Sequence, residues 1–346
     1  MPLSYSSYRL VDPVWSGFLA TTAPNQSFVG RKLTPRIAVN NPDYIGKVFV
    51  DTHVTMMGTP QSLVTTPGSP LPTMTTADPG SVTYTCVPYG LASTGIPKLS
   101  AARSQLPVDL VQRELRALQS ALAIAEEIRY ATLYQTANNW TTTIACGSMK
   151  TAIKWDAAGA QPITDLRYYL DTYRQAAHGN DATDIIIPYS VAVAMGNSAE
   201  IRGVYYLSAV GGAAASMSMG VQDVADVVAK VLGLRVHIGK GRKNTANFGQ
   251  THSESEIWTE TVWLGTLMAD AAQSGSSIRS VNTAALGVDE NSAIQGAGLG
   301  DLGYFTAGVD EIAPSQGNSW VPYVQHSCTE LIVSANLGAT VTDCLT

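Results

Sequence analysis

Residues 107 to 138 carry the most regular pattern of apolar positions in the chain. Val111, Leu115, Leu118 and Leu122 recur at three- and four-residue spacing, Ala125 and Ile128 continue the series, and Arg113, Glu114, Arg116, Glu126 and Glu127 fall on other faces. That period marks one face of an α-helix, and Pro107 suits its first turn. A helix of roughly 30 residues would reach about 45 Å, longer than an average globular helix, so a rigid strut is expected. Its charged residues read as solvated or ion-paired, Glu126 and Glu127 with Arg129 and its neighbours.

Upstream, the helical period gives way to two-residue alternation. In "KVFVDTHVTMM", Val48, Val50, Thr52 and Val54 alternate with Phe49, Asp51 and His53, and "SVTYTCVPY" supplies a return strand. The glycines and prolines of the intervening "GTPQSLVTTPGSPLPTMTTADPG" exclude a helix. The prediction is a long β ribbon, which needs a surface to rest on because an isolated hairpin is marginally stable. The first forty-five residues have proline or glycine every few positions and no sustained period, which predicts an extended arm. Trp15, Phe18, Phe28 and Ile37 are costly to leave in water, so the arm is expected to be ordered by lying on a neighbouring chain.

Downstream, helices and strands alternate. "ITDLRYYLDTYRQAAHG" is an amphipathic helix ended by Gly179, Ile185 to Ile187 a short buried strand leading into a helix, and "VQDVADVVAKVLG" a further helix. "LRVHIG" and "EIWTETVWLGTLM" read as strands, and the tail returns to a β pattern in "SWVPYVQHS", "ELIVSAN" and "ATVTDCL". Elements of these lengths side by side predict a mixed α/β lobe around one sheet.

The 346 residues exceed the ~250–300 at which a single core stops growing, which favours two lobes. Charged residues make up 14%, against a usual ~25%. A surface carried by Ser, Thr, Asn, Gly and Ala is compatible with extensive polar contact between subunits. The net charge of -6 and pI near 5.3 argue against a protein built to neutralise nucleic-acid phosphates, though not against a wall that encloses nucleic acid. With no run of eighteen apolar residues and no signal peptide at Met1, a soluble, unexported chain is expected. Cys86, Cys146, Cys328 and Cys344 form no C-x-x-C pair and read as buried thiols, with zinc a remote alternative.

Candidate chemistry is sparse. "GKGRKN" lacks the lysine and hydroxyl that follow the last glycine of a phosphate-binding P-loop, and reads as strand, basic turn and exit. Its Lys240, Arg242 and Lys243 could face an acidic patch on another subunit, enclosed DNA, or solvent. His252, Ser253 and Glu254 are adjacent in sequence, which does not make the converging geometry of a triad. His178, His237 and His326 lack zinc-site spacing. "SAVGGAAASMSMG", with Met217 and Met219, reads as an adaptable contact loop.

Taken in order, arm, ribbon, solitary long helix, mixed lobe and closing strands resemble the Hong Kong 97 fold, and the chain is similar to the major capsid proteins of tailed double-stranded DNA bacteriophages. The local likenesses lie in "WDAAGAQPITDLRYYLDTYRQAAHGNDATDIIIPYSVAVAMGNSAEI", in "LGLRVHIGKGRKNTANFGQTHSESEIWTETVWL" and in "ELIVSANLGATVTDCL". They cover residues 100 to 346, the arm and ribbon matching by position alone. The resemblance implies an α+β fold with an N-terminal arm (1–48) and an extended hairpin, the E-loop (49–100). A peripheral domain (101–162 and 303–346) would carry a spine helix at 107–138, and an α/β axial domain would span 163–302. It also implies a structural protein, not an enzyme, with no cofactor, metal or catalytic residues. Such a chain self-assembles as pentamers and hexamers into an icosahedral head around double-stranded DNA held by non-specific proximity. Separate scaffolding, portal and decoration proteins are the implied partners, with no membrane. The implied location is the virion, after assembly in the host cytoplasm. Because the arm starts at Met1 without long charged helices, assembly is expected to use a separate scaffolding protein or none. Two alternatives stay open. An encapsulin-type shell around protein cargo usually begins with a helix, whereas "YSSYRLVDPVWSGF" is broken by Pro13 and Gly17. A stand-alone α/β enzyme would leave the arm and ribbon unexplained.

Overall fold

The computed structural model describes residues 28–39, 45–50, 80–98, 110–177, 179–209, 219–246, 250–267, 277–283, 306–311 and 318–346. In chain order they form a single turn α1 (Gly30–Leu33), strands β1 (Arg36–Val39), β2 (Ile45–Val50), β3 (Gly80–Thr85), β4 (Val87–Ala92) and β5 (Ile96–Pro97), and the long helix α2 (Leu110–Gln135). Then follow β6 (Thr142–Ala145), α3 (Pro162–Ala176), β7 (Asp184–Pro188), α4 (Tyr189–Asn197), α5 (Ala199–Ala209), α6 (Val221–Leu232), β8 (Arg235–Gly239), β9 (Arg242–Asn244) and β10 (Glu254–Glu256). The chain closes with β11 (Val262–Gly265), β12 (Ile278–Thr283), β13 (Thr306–Glu311), β14 (Ser319–Ile332) and β15 (Gly338–Thr342).

Helix α2 runs for 26 residues, about 39 Å at the α-helical rise. The expected start at Pro107 lies outside the described residues, and the helix stops three residues before the expected 138. Its last carbonyls, which have no partner within a helix, are taken by side chains: Trp140 Nε1 donates to Tyr134 O at 2.9 Å and Asn139 Nδ2 to Leu133 O at 2.8 Å. The buried stripe is Val111, Leu115, Gln119, Leu122, Ala123, Glu126, Glu127, Tyr130, Ala131 and Tyr134. Leu118 and Ile128 are only half-buried and Ala125 is exposed. The stripe thus drifts around the helix as its neighbours change.

Those neighbours are two sheets. The N-terminal half of α2 packs Val111, Leu115 and Leu122 against Ile96, Ala307 and Val324, the face of a six-stranded sheet centred on β14 and running β1-β12-β14-β13, with β4 and β5 also paired to β14. "SWVPYVQHS" and "ELIVSAN", expected as separate strands, are one 14-residue strand. The C-terminal half of α2 packs Tyr130 and Tyr134 with Ile186, Trp258 and Trp263 on a five-stranded sheet ordered β6-β15-β11-β7-β8. On the other face of that sheet, Ile185, Ile187, Val262 and Leu264 meet Leu166, Tyr169 and Tyr173 of α3, Val191 and Met195 of α4, and Val224 and Val228 of α6. Burial on both faces explains why Ile185 to Ile187 reads as a continuous apolar run.

"EIWTETVWLGTLM" is not one strand. Among the described residues β10 pairs with β9 alone, and β11 lies in the five-stranded sheet. Between them Trp258 turns fully inward, and a Cβ on Gly239 would come within 2.5 Å of its ring. At Gly338, which opens β15, a Cβ would come within 2.2 Å of the Trp140 ring. Because that ring is buried and its indole N–H is held by Tyr134 O, it cannot swing away. Gly338→Ala should therefore destabilise the subunit by about 2–4 kcal/mol, within the range of overpacking and backbone effects. Urea unfolding curves would measure it, and a midpoint equal to wild type would show that the sheet can yield there.

The ribbon is present at its base, where β2 and β3 pair antiparallel from Ile45↔Thr85 to Val50↔Gly80. Its tip lies outside the described residues, as do Trp15 and Phe18 of the arm. For residues 28–39 the expectation of a neighbouring chain as support is overturned. β1 pairs in parallel with β12 of the same chain, and α1 sits on α2. The domain bounds read from the sequence pass through both sheets: β15 pairs with β11, and β12 with β14.

Candidate assembly surfaces

The junction of α1 with α2 is built around Glu127. Its Oε1 accepts from the backbone N–H of Val29 at 2.9 Å and from Trp258 Nε1 at 2.7 Å, and Oε2 accepts from the N–H of Gly30 at 3.0 Å. The side chain belongs to a residue that is 1% exposed. Burial pushes its carboxyl above the ordinary range, and the donors from Val29, Trp258 and Gly30 only partly oppose that. Beside it, Glu126 faces the buried Arg31 at 3.9 Å, and Thr34 shares a 2.9 Å hydrogen bond with Tyr134. The reading of Glu126 and Glu127 as solvated is therefore overturned, and Glu127 is held by Val29, Gly30 and Trp258 rather than by Arg129 and its neighbours. Arg129 turns to the other sheet, where Nε meets Glu330 at 3.2 Å and the guanidinium lies 3.9 Å from the Tyr89 ring centroid. A sequence signal existed. Residues 126 and 127 continue the buried stripe one turn beyond Leu122 and Ala123, so two carboxylates at core positions called for buried donors.

His326 on β14 packs in this second cluster, stacked on Tyr89 at 5.5 Å between centroids and within 3.5 Å of the Arg129 guanidinium. Burial first, then Arg129 and Arg31, press its pKa down to about 3, so the ring is neutral. His237 lies in the five-stranded sheet, with Nε2 2.9 Å from Asp184 Oδ1, and Arg235 bonds Oδ2 at 2.6 Å. Burial pushes the Asp184 carboxyl up, but His237, Thr183 and Arg235 together outweigh it and hold it below its usual range. His178 and the 217 end of the Met217–Met219 loop lie outside the described residues.

The basic turn does not stand as a free cationic loop. Arg242 on β9 pairs with Glu254 on β10 at 3.2 Å, and His252 Nε2 is 2.8 Å from the same carboxylate. Ser253 Oγ contacts Thr245, not His252, so the three adjacent residues form an exposed hairpin and no triad. Lys240 is exposed and Lys243 half-buried. Among the described residues no group of His, Cys, Asp and Glu is arranged to hold a metal ion, and no helix is long and apolar enough to cross a membrane.

What the surface does present is exposed apolar side chains on regular elements. Tyr189 and Val193, 39% and 42% exposed, stand one turn apart on α4, and Val204 lies on α5. Val87 and Leu91 are similarly open on β4. That strand has β14 on one side, and among the described residues no strand pairs with its other edge.

No protein-family model and no curated protein matches the chain. Solved structures do. A phage-related protein from Bordetella bronchiseptica superposes with a TM-score of 0.67 at 17% identity, covering 98% of both chains. The capsid structure of cyanophage P-SCSP1u gives 0.53 at 11% identity over 98% of this chain and 91% of that one. Mycobacterium phage Che8 gives 0.50 at 12% identity over 99% and 97%. The likeness covers 98–99% of the chain, which has the fold of a tailed-phage major capsid protein.

Proposed function

We propose that the chain is the repeating subunit of an icosahedral phage head, assembling as pentamers and hexamers around double-stranded DNA. The reading is supported above all by the fold likeness to the capsid structure of cyanophage P-SCSP1u, which covers 98% of this chain, together with that to the phage-related protein from Bordetella bronchiseptica. On this reading residues 1–48 are the N-terminal arm, 49–100 the E-loop, α2 the spine helix of a peripheral domain (101–162 and 303–346), and 163–302 the axial domain. Both sheets cross that proposed border, through β15 with β11 and β12 with β14. Separate scaffolding, portal and decoration proteins would complete the particle, and the subunit's role is structural.

The test is negative-stain microscopy and sedimentation of the purified protein, with nucleic acid extracted from any particles after nuclease treatment. Closed shells formed with a portal and protecting double-stranded DNA are expected. Shells filled with protein cargo would instead mark an encapsulin-type compartment, and a monomer under all conditions would sink both.

The apolar stripe on α4 offers a sharper probe. Tyr189→Asp combined with Val193→Asp alters two exposed positions, where substitutions usually change stability by no more than about 0.5 kcal/mol each. If α4 lines a contact between subunits, the melting curve should stay close to wild type while sedimentation shifts from particles to small species. Unchanged particles would remove α4 from the interface.

A further inference from the structure

Cys146 and Cys344 are fully buried in the core between the five-stranded sheet and α3. β6 and β15 run parallel in register as far as Ala145↔Thr342. Cys146 is the next residue on one strand, and Cys344 comes two residues on along the other. Asp343 between Thr342 and Cys344 has φ 53, a left-handed conformation that turns Cys344 back toward the 3-10 turn Cys146–Ser148. Adjacent strands lie about 4.8 Å apart, close to the Cα separations that disulfides span.

Both residues are held in place by other contacts. Cys146 Sγ donates to Ile153 O and Cys344 Sγ to Val341 O, each at 3.5 Å, and Trp155 N–H donates to Cys344 O at 2.9 Å. The neighbouring Cys344 side chain holds the Cys146 thiol below its ordinary range, while burial pushes Cys344 well up. Cys328 meets Arg129 and Glu330 instead.

We propose that Cys146 and Cys344 are a latent disulfide site, which closes when the subunit equilibrates with an organic disulfide such as oxidised glutathione. The Cys146 thiolate attacks one glutathione sulfur and expels a glutathione thiolate. Cys344 then gives up its proton to solvent and attacks the Cys146 sulfur of the mixed disulfide, releasing the second glutathione. Two protein thiols lose two electrons, and one glutathione disulfide becomes two thiols. Access comes through the segment after β15, where Asp343 and Thr346 are exposed and Leu345 half-buried. The segment is held by Lys154 Nζ on Leu345 O at 2.7 Å and by Thr346 N–H on Asp156 at 2.9 Å. The bond would tie β15 to β6 across the whole intervening chain, restricting the unfolded ensemble. The inference rests on the thiol geometry, independently of the capsid reading.

The test uses the full chain, reduced, desalted and incubated with excess oxidised glutathione, in one arm native and in the other refolding from denaturant. Non-reducing peptide mass spectrometry should find Cys146 linked to Cys344 in at least one arm, with the four free thiols falling by two. The linked protein should melt about 5 °C or more above the reduced form. Four free thiols in both arms, glutathione adducts alone, a Cys86–Cys328 link instead, or a linked protein that melts lower would overturn the proposal.

Discussion

Glu127→Ala is expected to cost the subunit about 3–5 kcal/mol, a large share of the ~5–15 kcal/mol that holds a typical domain together. The carboxylate accepts from Val29 N–H, Gly30 N–H and Trp258 Nε1. Each donor lies in the interior, and a buried donor left without an acceptor costs about 1–3 kcal/mol. The loss is reduced because the wild-type carboxylate itself pays for desolvation, as its raised pKa records. Glu127→Gln is expected to fall between the two, since an amide retains one acceptor but turns an NH2 toward donors. Urea unfolding followed by tryptophan fluorescence would give the free energy. Hydrogen exchange at Val29 and Gly30 should accelerate before the rest of the chain is affected. A change under about 1 kcal/mol would mean that the arm segment is held by β1 and β12 alone.

The second large effect is acid sensitivity carried by His326. Its folded pKa is about 3 against an ordinary 6.5, with burial the largest cause and Arg129 and Arg31 adding to it. Between those values the unfolded chain binds a proton that the folded chain does not. Stability is therefore full above about pH 6.5 and is lost as pH falls toward about 3. A shift of that size corresponds to roughly 3–5 kcal/mol. Glu127 works in the opposite sense. Its raised pKa means that stability declines as pH rises from the ordinary carboxylate range through its own value, so the wild-type profile alone mixes the two. The comparison with His326→Gln, which keeps an acceptor for Arg129, isolates the histidine: the variant should lose much less stability between pH 6.5 and pH 4. Parallel profiles would mean that water reaches the ring and lets it charge in place.

The long helix, the period-two base of the ribbon and the amphipathic α3 and α6 were legible because each obeys a local period, and the Ile185–Ile187 strand because a short continuous apolar run marks burial on both faces. Side chains three, four or two residues apart share a face whatever the rest of the chain does. The order of those elements sufficed to suggest the capsid fold.

Contacts without a local period were not legible. Glu127 receives its donors from Val29 and Gly30, 98 and 97 residues away, and from Trp258, 131 away. Nothing near Glu127 in sequence announces them beyond its place on an apolar stripe. The break at Trp258 was missed because "EIWTETVWL" alternates well enough for a strand. Only Gly239 beneath its ring and Glu127 of α2 at its indole N–H make an inward tryptophan more favourable than a continuous ladder. The arm was assigned to another chain because it has no core of its own, yet for residues 28–39 α2 and β12 supply one. What the sequence determined by itself was which segments are helix, strand or arm, since that follows from spacing along the chain. Which sheet each strand joins, and which polar side chains go inside, only the tertiary structure decided, because a buried carboxylate or imidazole is stable only where distant donors and rings converge on it.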